Sequence, residues 1–304
     1  MLSQIDGLHH VTTIGSDPRA IDAFWTGALG LRRVKKTVNF DAPDVYHLYY
    51  GDDLGRPGTA MTYFPFPDAT PGRRGTGEVG EVRLAIPNGA APFWEDRLGG
   101  SVEQDAFGAT VLRTKAPDGD VFVLTESDDP RAPFTGTIDA DHAIRGFHSA
   151  ALRVADAAPT VELLKFMGYA EQTREGSVSR LIREGGIANV IDVVAAPDMP
   201  RAGQSAGSVH HIAFSVADRA AQKEVQTALT EQGFQVTQQI DRDYFWAIYF
   251  RTPGGILFEV ATAEPGFDRD EPQETLGQAL KLPDQHEHLR AQLEKHLVPL
   301  DDAG

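Results

Sequence analysis

The chain has 304 residues, 41% of them hydrophobic and 24% charged, which is the composition of an ordinary globular protein able to bury a sizeable core. A formal net charge of −16 argues against nucleic acid or an anionic membrane surface as partner, because both need clustered Lys and Arg. Cysteine is absent, so disulfides, thiolate metal sites and cysteine nucleophiles are excluded, and any metal must be held by His, Asp or Glu. No stretch reaches the roughly 18 to 20 apolar residues of a membrane span, and Met1-Leu2-Ser3-Gln4 lacks a signal peptide's charged and apolar regions. A cytoplasmic location is the expectation.

In chain order, LHHVTTIG (Leu8 to Gly15) predicts a strand, and Asp17-Pro18 then supplies a helix N-cap with proline at the first helical position. Ala20, Ile21, Phe24, Trp25 and Ala28 recur at helical spacing, with Gly27 and Gly30 punctuating the end. Strand patterns follow in KKTVNF, DVYHLYYGD and, after the turn Arg56-Pro57-Gly58, TAMTYFPFP. The unit reads strand, helix, three strands. A second unit opens at GEVRLAIPNG and closes with the turn Pro117-Asp118-Gly119 and the strand VFVLTE. The stretch from Asp128 to Asp141, rich in Pro, Asp and Thr, reads as a linker.

A third unit begins at FHSAALRVAD, ends its helix near Gly168 and finishes near NVIDVVA. The fourth repeats the pattern most clearly. VHHIAFSV is a strand, Asp218 caps a helix through Leu229, Gly233 stops it, and FQVTQQ, YFWAIYF and ILFEVAT follow as strands around the turn Pro253-Gly254-Gly255. A period of roughly 60 to 70 residues repeated four times predicts an α+β fold of four βαβββ modules. These would form two cup-like mixed sheets with the helices outside. The expected division is 1–127 and 145–266 for two pairs of modules, 128–144 for the linker and 267–304 for a tail. That tail holds the loop-like PGFDRDEPQE and a short amphipathic helix in LRAQLEKHLVPL, with His286, His288 and His296 expected in solvent.

Adjacent residues of a strand face opposite ways, so each double histidine can offer only one imidazole to a shared site. In VHHIAFSV, His210 has the parity of Ile212, Phe214 and Val216, which should pack under the helix. His211 lies with Ala213 and Ser215 on the other face. His10 and Thr12 share one face of the first strand, and His9, Val11 and Thr13 share the other. His10 and His211 are therefore the pair that can converge. Aligning the third unit puts His148 on His210 and Ser149 on His211, and the second unit has Glu81 at the inward position. Glu259 aligns with Val123 and, in the first unit, with Tyr63. The outer units thus hold a full set, and His10, His211 and Glu259 meet if the first and fourth modules pair. Two imidazoles and a carboxylate form the facial triad of non-haem Fe(II) oxygenases; Mn(II) and Zn(II) also suit these ligand types.

The motifs LHHVT, VNFDAPDVYHLYYGD, MTYFPFP, VHHIAFSV, DRDYFWAIYFRTPGGILFEVAT and PGFDRDEP, with LKLP in the tail, resemble the vicinal-oxygen-chelate superfamily of glyoxalases, bleomycin-resistance proteins and extradiol dioxygenases. Within it the chain is most similar to the hydroquinone ring-cleaving dioxygenases. The resemblance implies an Fe(II)-dependent enzyme that opens a para-dihydroxylated aromatic with O₂, with His10, His211 and Glu259 as metal ligands. It also implies supporting roles for His9, Thr12, His210, Arg242 and Tyr249. Arg242 could stabilise a phenolate and Tyr249 could pass a proton, while His47, Tyr49 and Tyr63 should line the cup from the first module. Exposed sheet edges in this fold permit homo-oligomers. Three alternatives share the scaffold. One is extradiol catechol cleavage, which Ser149 in place of a histidine disfavours. Another is a glyoxalase-like isomerase or lyase, and the last is a non-catalytic small-molecule binder, which would not need the triad.

Overall fold

In the computed structural model, which describes residues 1–186 and 188–300, each repeat folds as a strand, a helix and three further strands. The first comprises β1 (Ile5–Gly15), α1 (Pro18–Asp22), β2 (Arg32–Asn39), β3 (Ala42–Gly51) and β4 (Ala60–Pro65). The second comprises β5 (Glu78–Ile86), α2 (Ala91–Leu98), β6 (Val102–Gln104), β7 (Thr110–Lys115) and β8 (Val121–Glu126). The third runs through β9 (Gly146–Val154), α3 (Ala158–Phe166), β10 (Ala170–Glu175), β11 (Val178–Ile182) and β12 (Val190–Ala195). The fourth runs through β13 (Ser208–Val216), α4 (Arg219–Glu231), β14 (Ile240–Asp241), β15 (Phe245–Arg251) and β16 (Leu257–Pro265). A last helix, α5 (Arg290–His296), lies in the tail.

Local chemistry sets these boundaries. The Asp17 carboxylate accepts from the amides of Arg19 and Ala20, and that of Asp218 accepts from Ala221, so both outer helices start where an N-cap stands. After Asp22 the first helix widens into a π turn over Ala23–Ala28, closed by Leu29 N–H donating to the Phe24 carbonyl. That widening seats Trp25 between Tyr50 and the edge-on ring of Phe122. FQVTQQ does not form the expected strand: only β14 pairs, and it begins at Ile240. The segment's polar groups go elsewhere, with the Thr237 amide donating to the Tyr249 carbonyl and the Thr237 carbonyl accepting from Gln226.

Two eight-stranded mixed sheets result, in the orders β14-β15-β16-β13-β1-β4-β3-β2 and β10-β11-β12-β9-β5-β8-β7-β6. The first and fourth repeats share one sheet through the antiparallel pair β1/β13, and the second and third share the other through β5/β9. This is the vicinal-oxygen-chelate arrangement. It brings together strands separated by two hundred residues of chain.

The pairing of β1 with β13 slips three times, once near its start and once at each double histidine. Leu8 faces Phe214 and His10 faces Ala213, so His9 is an extra residue on β1; Thr12 faces His211 and Thr13 faces Val209, so His210 is an extra residue on β13. Both are β-bulges, which re-aim a side chain relative to strict alternation. The tail packs against the first repeat. Lys281 N–H donates to the Lys36 carbonyl, and Lys35, fully buried, pairs with Asp270 and Glu271 at 2.6 and 2.5 Å. His286 is half-buried, with Nε2 2.9 Å from the Phe40 carbonyl, so the expectation of a solvated side chain is corrected there; His288 and His296 are exposed.

Candidate metal centre

β1, β13 and β16 are neighbours near the middle of the first sheet, and each contributes one side chain to its concave face. His10 Nε2 lies 3.2 Å from His211 Nε2, and Oε2 of Glu259 is 2.9 Å from His211 Nε2 and 3.5 Å from His10 Nε2. All three residues are buried, and Glu259 has no exposed surface. Both of its carboxylate oxygens lack a hydrogen bond of good geometry, which in a folded interior calls for another partner. A cation about 2.1 Å from each donor would set neighbouring donors about 3 Å apart. The three donor atoms therefore fit a metal ion, and they are the His/Asp/Glu cluster with that property among the described residues.

The protonation states suit the same role. Burial holds the His211 imidazole below its ordinary value, against the opposing pull of Glu259. Burial pushes the Glu259 carboxyl up, but the facing imidazoles more than offset it and hold it well below the usual carboxylate range. Both groups are thus in the deprotonated forms that bind metal.

The outer ring nitrogens explain why the histidines come in pairs. His9 Nε2 lies 3.1 Å from the Thr262 carbonyl, which can only accept, so Nε2 carries the proton and Nδ1 is left as an acceptor. His10 Nδ1, 2.9 Å away, donates to it, and the free lone pair of His10 is then on Nε2, toward His211 and Glu259. His210 Nδ1 is 2.7 Å from His211 Nδ1, so a metal on His211 Nε2 would leave His211 Nδ1–H donating to His210. The proton of the neutral His210 ring would then be on Nε2, and His210 lines the cavity. Burial lowers His9 to about 3 and His210 to about 4, so both are neutral at physiological pH. Strand parity alone places His9 and His210 away from the cup; the two bulges turn them back against the ligand-pair rings.

A cavity of about 410 Å³ opens over the triad, and His210, Arg242 and Tyr249 all line it. Arg242 Nε donates to the Tyr249 hydroxyl at 3.3 Å, and its Nη2 reaches Asp41 at 3.3 Å. Burial and Glu259 push the Tyr249 hydroxyl up, so it stays protonated. Phe40, Phe64, Phe66 and Phe245 give the cavity aromatic walls. Thr12 is buried beneath the cup, its hydroxyl 2.8 Å from that of Thr62. His47 and Tyr49 line the cavity as expected, but Tyr63 does not: its hydroxyl donates to Asp120 at 2.5 Å, away from the cup. The Asn39-Phe40-Asp41 turn at the cavity mouth was not singled out from sequence, although it lies inside the VNFDAPD motif.

Register also defines the second cup. Thr12 faces His211 as Arg83 faces Ser149, and Ala213 faces Glu259 as Ala151 faces Asp192. The triad positions there are Glu81, Ser149 and Asp192, and in the first repeat the Glu259 equivalent is Thr62 rather than Tyr63. Arg180, at the Tyr249 position, makes a two-pronged 2.8 Å pair with Asp192, and Arg83 bonds Asp105 at 2.5 Å. Guanidinium groups fill this cup.

Residues 87–260 match the model of the Glyoxalase/Bleomycin resistance protein/Dioxygenase superfamily. The chain belongs to that superfamily. Among its members, the Bacillus subtilis protein named "Putative ring-cleaving dioxygenase MhqO" is 41% identical over 99% of this chain and 98% of its own length. The "Chlorohydroquinone/hydroquinone 1,2-dioxygenase" of Sphingobium indicum is 35% identical, covering 95% of each chain. A crystal structure of a Bacillus subtilis protein called a "putative dioxygenase" superposes with a TM-score of 0.94 at 40% identity, over 99% of both chains. Maize glyoxalase I, at 15% identity and a TM-score of 0.61, shares the superfamily fold over 85% of this chain and 92% of its own.

Proposed function

We propose that the protein is an Fe(II)-dependent dioxygenase that opens the ring of a para-dihydroxylated aromatic, with His10, His211 and Glu259 as the iron ligands. The observation that carries this reading is the buried His-His-Glu set at the floor of an aromatic-walled cavity, with both outer imidazole nitrogens tied to neighbouring histidines. The name of the Sphingobium relative supports the substrate class. Iron, held by three protein ligands with positions left open, supplies the redox coupling between an electron-rich ring and O₂.

The chain's own residues then bind, orient and move protons. The fixed charge of Arg242 favours the ionised form of a ring hydroxyl. Arg242 donates to the oxygen of Tyr249 and Glu259 lies beside the hydroxyl, so the protonated Tyr249 would act as a general acid once a bound ring draws its proton from the Glu259 side. His210 Nε2–H offers a second donor at the wall, and Thr12 braces β1 against β4 below. The phenylalanine walls keep water from the reacting ring.

The test is mass analysis of products formed under ¹⁸O₂ from iron-loaded protein with methylhydroquinone, chlorohydroquinone or catechol. Two labelled oxygens in a ring-opened product from the hydroquinones supports the reading. Cleavage of catechol alone would make it an extradiol enzyme, and oxygen-independent conversion or mere binding would replace dioxygenase chemistry altogether.

A further inference from the structure

A hydrogen-bond chain crosses three strands beside the candidate metal centre. The Tyr49 hydroxyl lies 2.8 Å from His47 Nδ1, His47 Nε2 lies 2.9 Å from the Thr62 hydroxyl, and Thr62 lies 2.8 Å from the Thr12 hydroxyl. Neighbouring register holds it in place, since Tyr49 on β3 and Thr12 on β1 both face Thr62 on β4. Tyr49, Thr62 and Thr12 are almost completely buried, and His47 is 7% exposed. Such a chain costs too much to leave incomplete in the interior, so its protons can be counted.

His47 is buried with no carboxylate bonded to it, among His10, His211 and Arg242, and so is neutral with a single ring proton. Tyr49, His47, Thr62 and Thr12 then bring one proton each to the three links. One proton is spare, and it sits at whichever end the chain points away from. If Tyr49 donated to His47, the spare proton would fall on Thr12, which has no exposed surface and bonds no acceptor other than Thr62 among the described residues. In the opposite sense Thr12 donates to Thr62, Thr62 to His47 Nε2, and His47 Nδ1–H to the Tyr49 oxygen. The spare proton is then on Tyr49, which lines the 410 Å³ cavity where a ligand can accept it. Only this sense puts the spare donor beside the cavity rather than in the closed interior.

Position in the sheet says what the donor meets. The triad strands β1, β13 and β16 lie on one side of β4 and β3 on the other, which sets β3 roughly 10 Å from β1 across two strand spacings. A flat ring with one oxygen at the triad can turn its far side toward the β3 wall. We propose that the Tyr49 hydroxyl, oriented by His47, donates to the ring oxygen remote from the metal and so selects para- over ortho-dihydroxylated rings. A catechol that places both oxygens at the metal has none left for Tyr49. This rests on the hydroquinone reading above and adds the residue that sets its regiochemistry. Tyr49 is a binding residue, and His47 is a positioning residue that acts through it.

Anaerobic calorimetric titration of the full, iron-loaded chain with methylhydroquinone and with 3-methylphenol, which lacks the second oxygen, tests it. Wild type should bind the hydroquinone about tenfold more tightly, the worth of one neutral hydrogen bond. Tyr49→Phe should lose that preference while keeping its iron content and its affinity for 3-methylphenol. His47→Ala should lose the preference too, and His47→Asn, whose amide nitrogen can stand in for Nδ1, should restore it. Absence of any preference in wild type overturns the proposal, as does a Tyr49→Phe protein that keeps it. If Tyr49→Phe does not fold, equal preference in His47→Ala and wild type overturns it instead. Failure of ring cleavage itself would show separately, as normal discrimination in binding without oxygen consumption.

Discussion

Thr262 fixes the proton of His9 and His9 fixes that of His10, so a backbone carbonyl on β16 determines which nitrogen His10 presents to the cup. Removing the intermediate ring should leave the donor set in place but loosely aimed. His9→Ala is therefore expected to weaken metal affinity by roughly 10- to 100-fold, measured by competition with a chelator. Glu259→Gln should act differently, because a neutral amide is a poor ligand for a hard cation. Its metal content after loading and desalting should fall to background. The same change weakens the pairing of the carboxylate with the two facing imidazoles, so the metal-free variant should melt modestly below metal-free wild type at pH 7. A large loss of melting temperature would mean that Glu259 is structural. At this scale the sequence was informative: alternation along two strands and repeat alignment single out His10, His211 and Glu259, and the fold brings these three together. The positions of His9 and His210 were not legible by parity, because a bulge inserts one residue without leaving any trace in a period-two pattern. Tyr63 was misplaced by one residue of register, which sends a side chain to the opposite face.

Among the elements, α4 shows how local signals and burial agree. Asp218 caps it, and Val225 and Leu229 fall on its buried face, as their spacing indicates. FQVTQQ shows the limit. Its alternation resembles a strand, yet its backbone partners are Tyr249 and Gln226 rather than a ladder, and those tertiary bonds are not written in the segment itself. The entry to β13 makes a separate prediction. Gly207 adopts a φ of +76°, and a Cβ there would meet the Asp118 carbonyl oxygen at 2.1 Å. Gly207→Ala combines a left-handed backbone with a backbone clash, so it should destabilise by about 2 kcal/mol or more in urea unfolding. An unchanged midpoint would show that this turn relaxes freely.

Over the whole molecule, pairing outer repeat with outer repeat and inner with inner separates a cup that fits metal from one filled by arginine. Composition cannot reveal that pairing; it follows from which strand edges meet. In the second cup, Arg180→Met would leave Asp192 buried without its partner, a change expected to cost about 3 to 5 kcal/mol, and full stability of that variant would contradict the ion-pair account. Between the sheets, Tyr63 of the first repeat holds Asp120 of the second, and burial pushes that carboxyl up to about 6 despite the hydroxyl's opposing bond. Its folded value lies above the unfolded one near 3.8, so the folded state binds the extra proton and loses stability as pH rises from about 4 to 6. The cost at neutral pH is on the order of 3 kcal/mol. Asp120→Asn should thus melt higher than wild type at pH 7 and no higher at pH 4; a pH-independent difference would refute this. Among the described residues no helix is long and apolar enough to cross a membrane. The most direct test of the central claim is oxygen consumption with methylhydroquinone by iron-loaded wild type and His211→Ala at matched iron content. Uptake by wild type alone is the predicted result, and wild-type uptake by the variant would contradict the assignment of the centre.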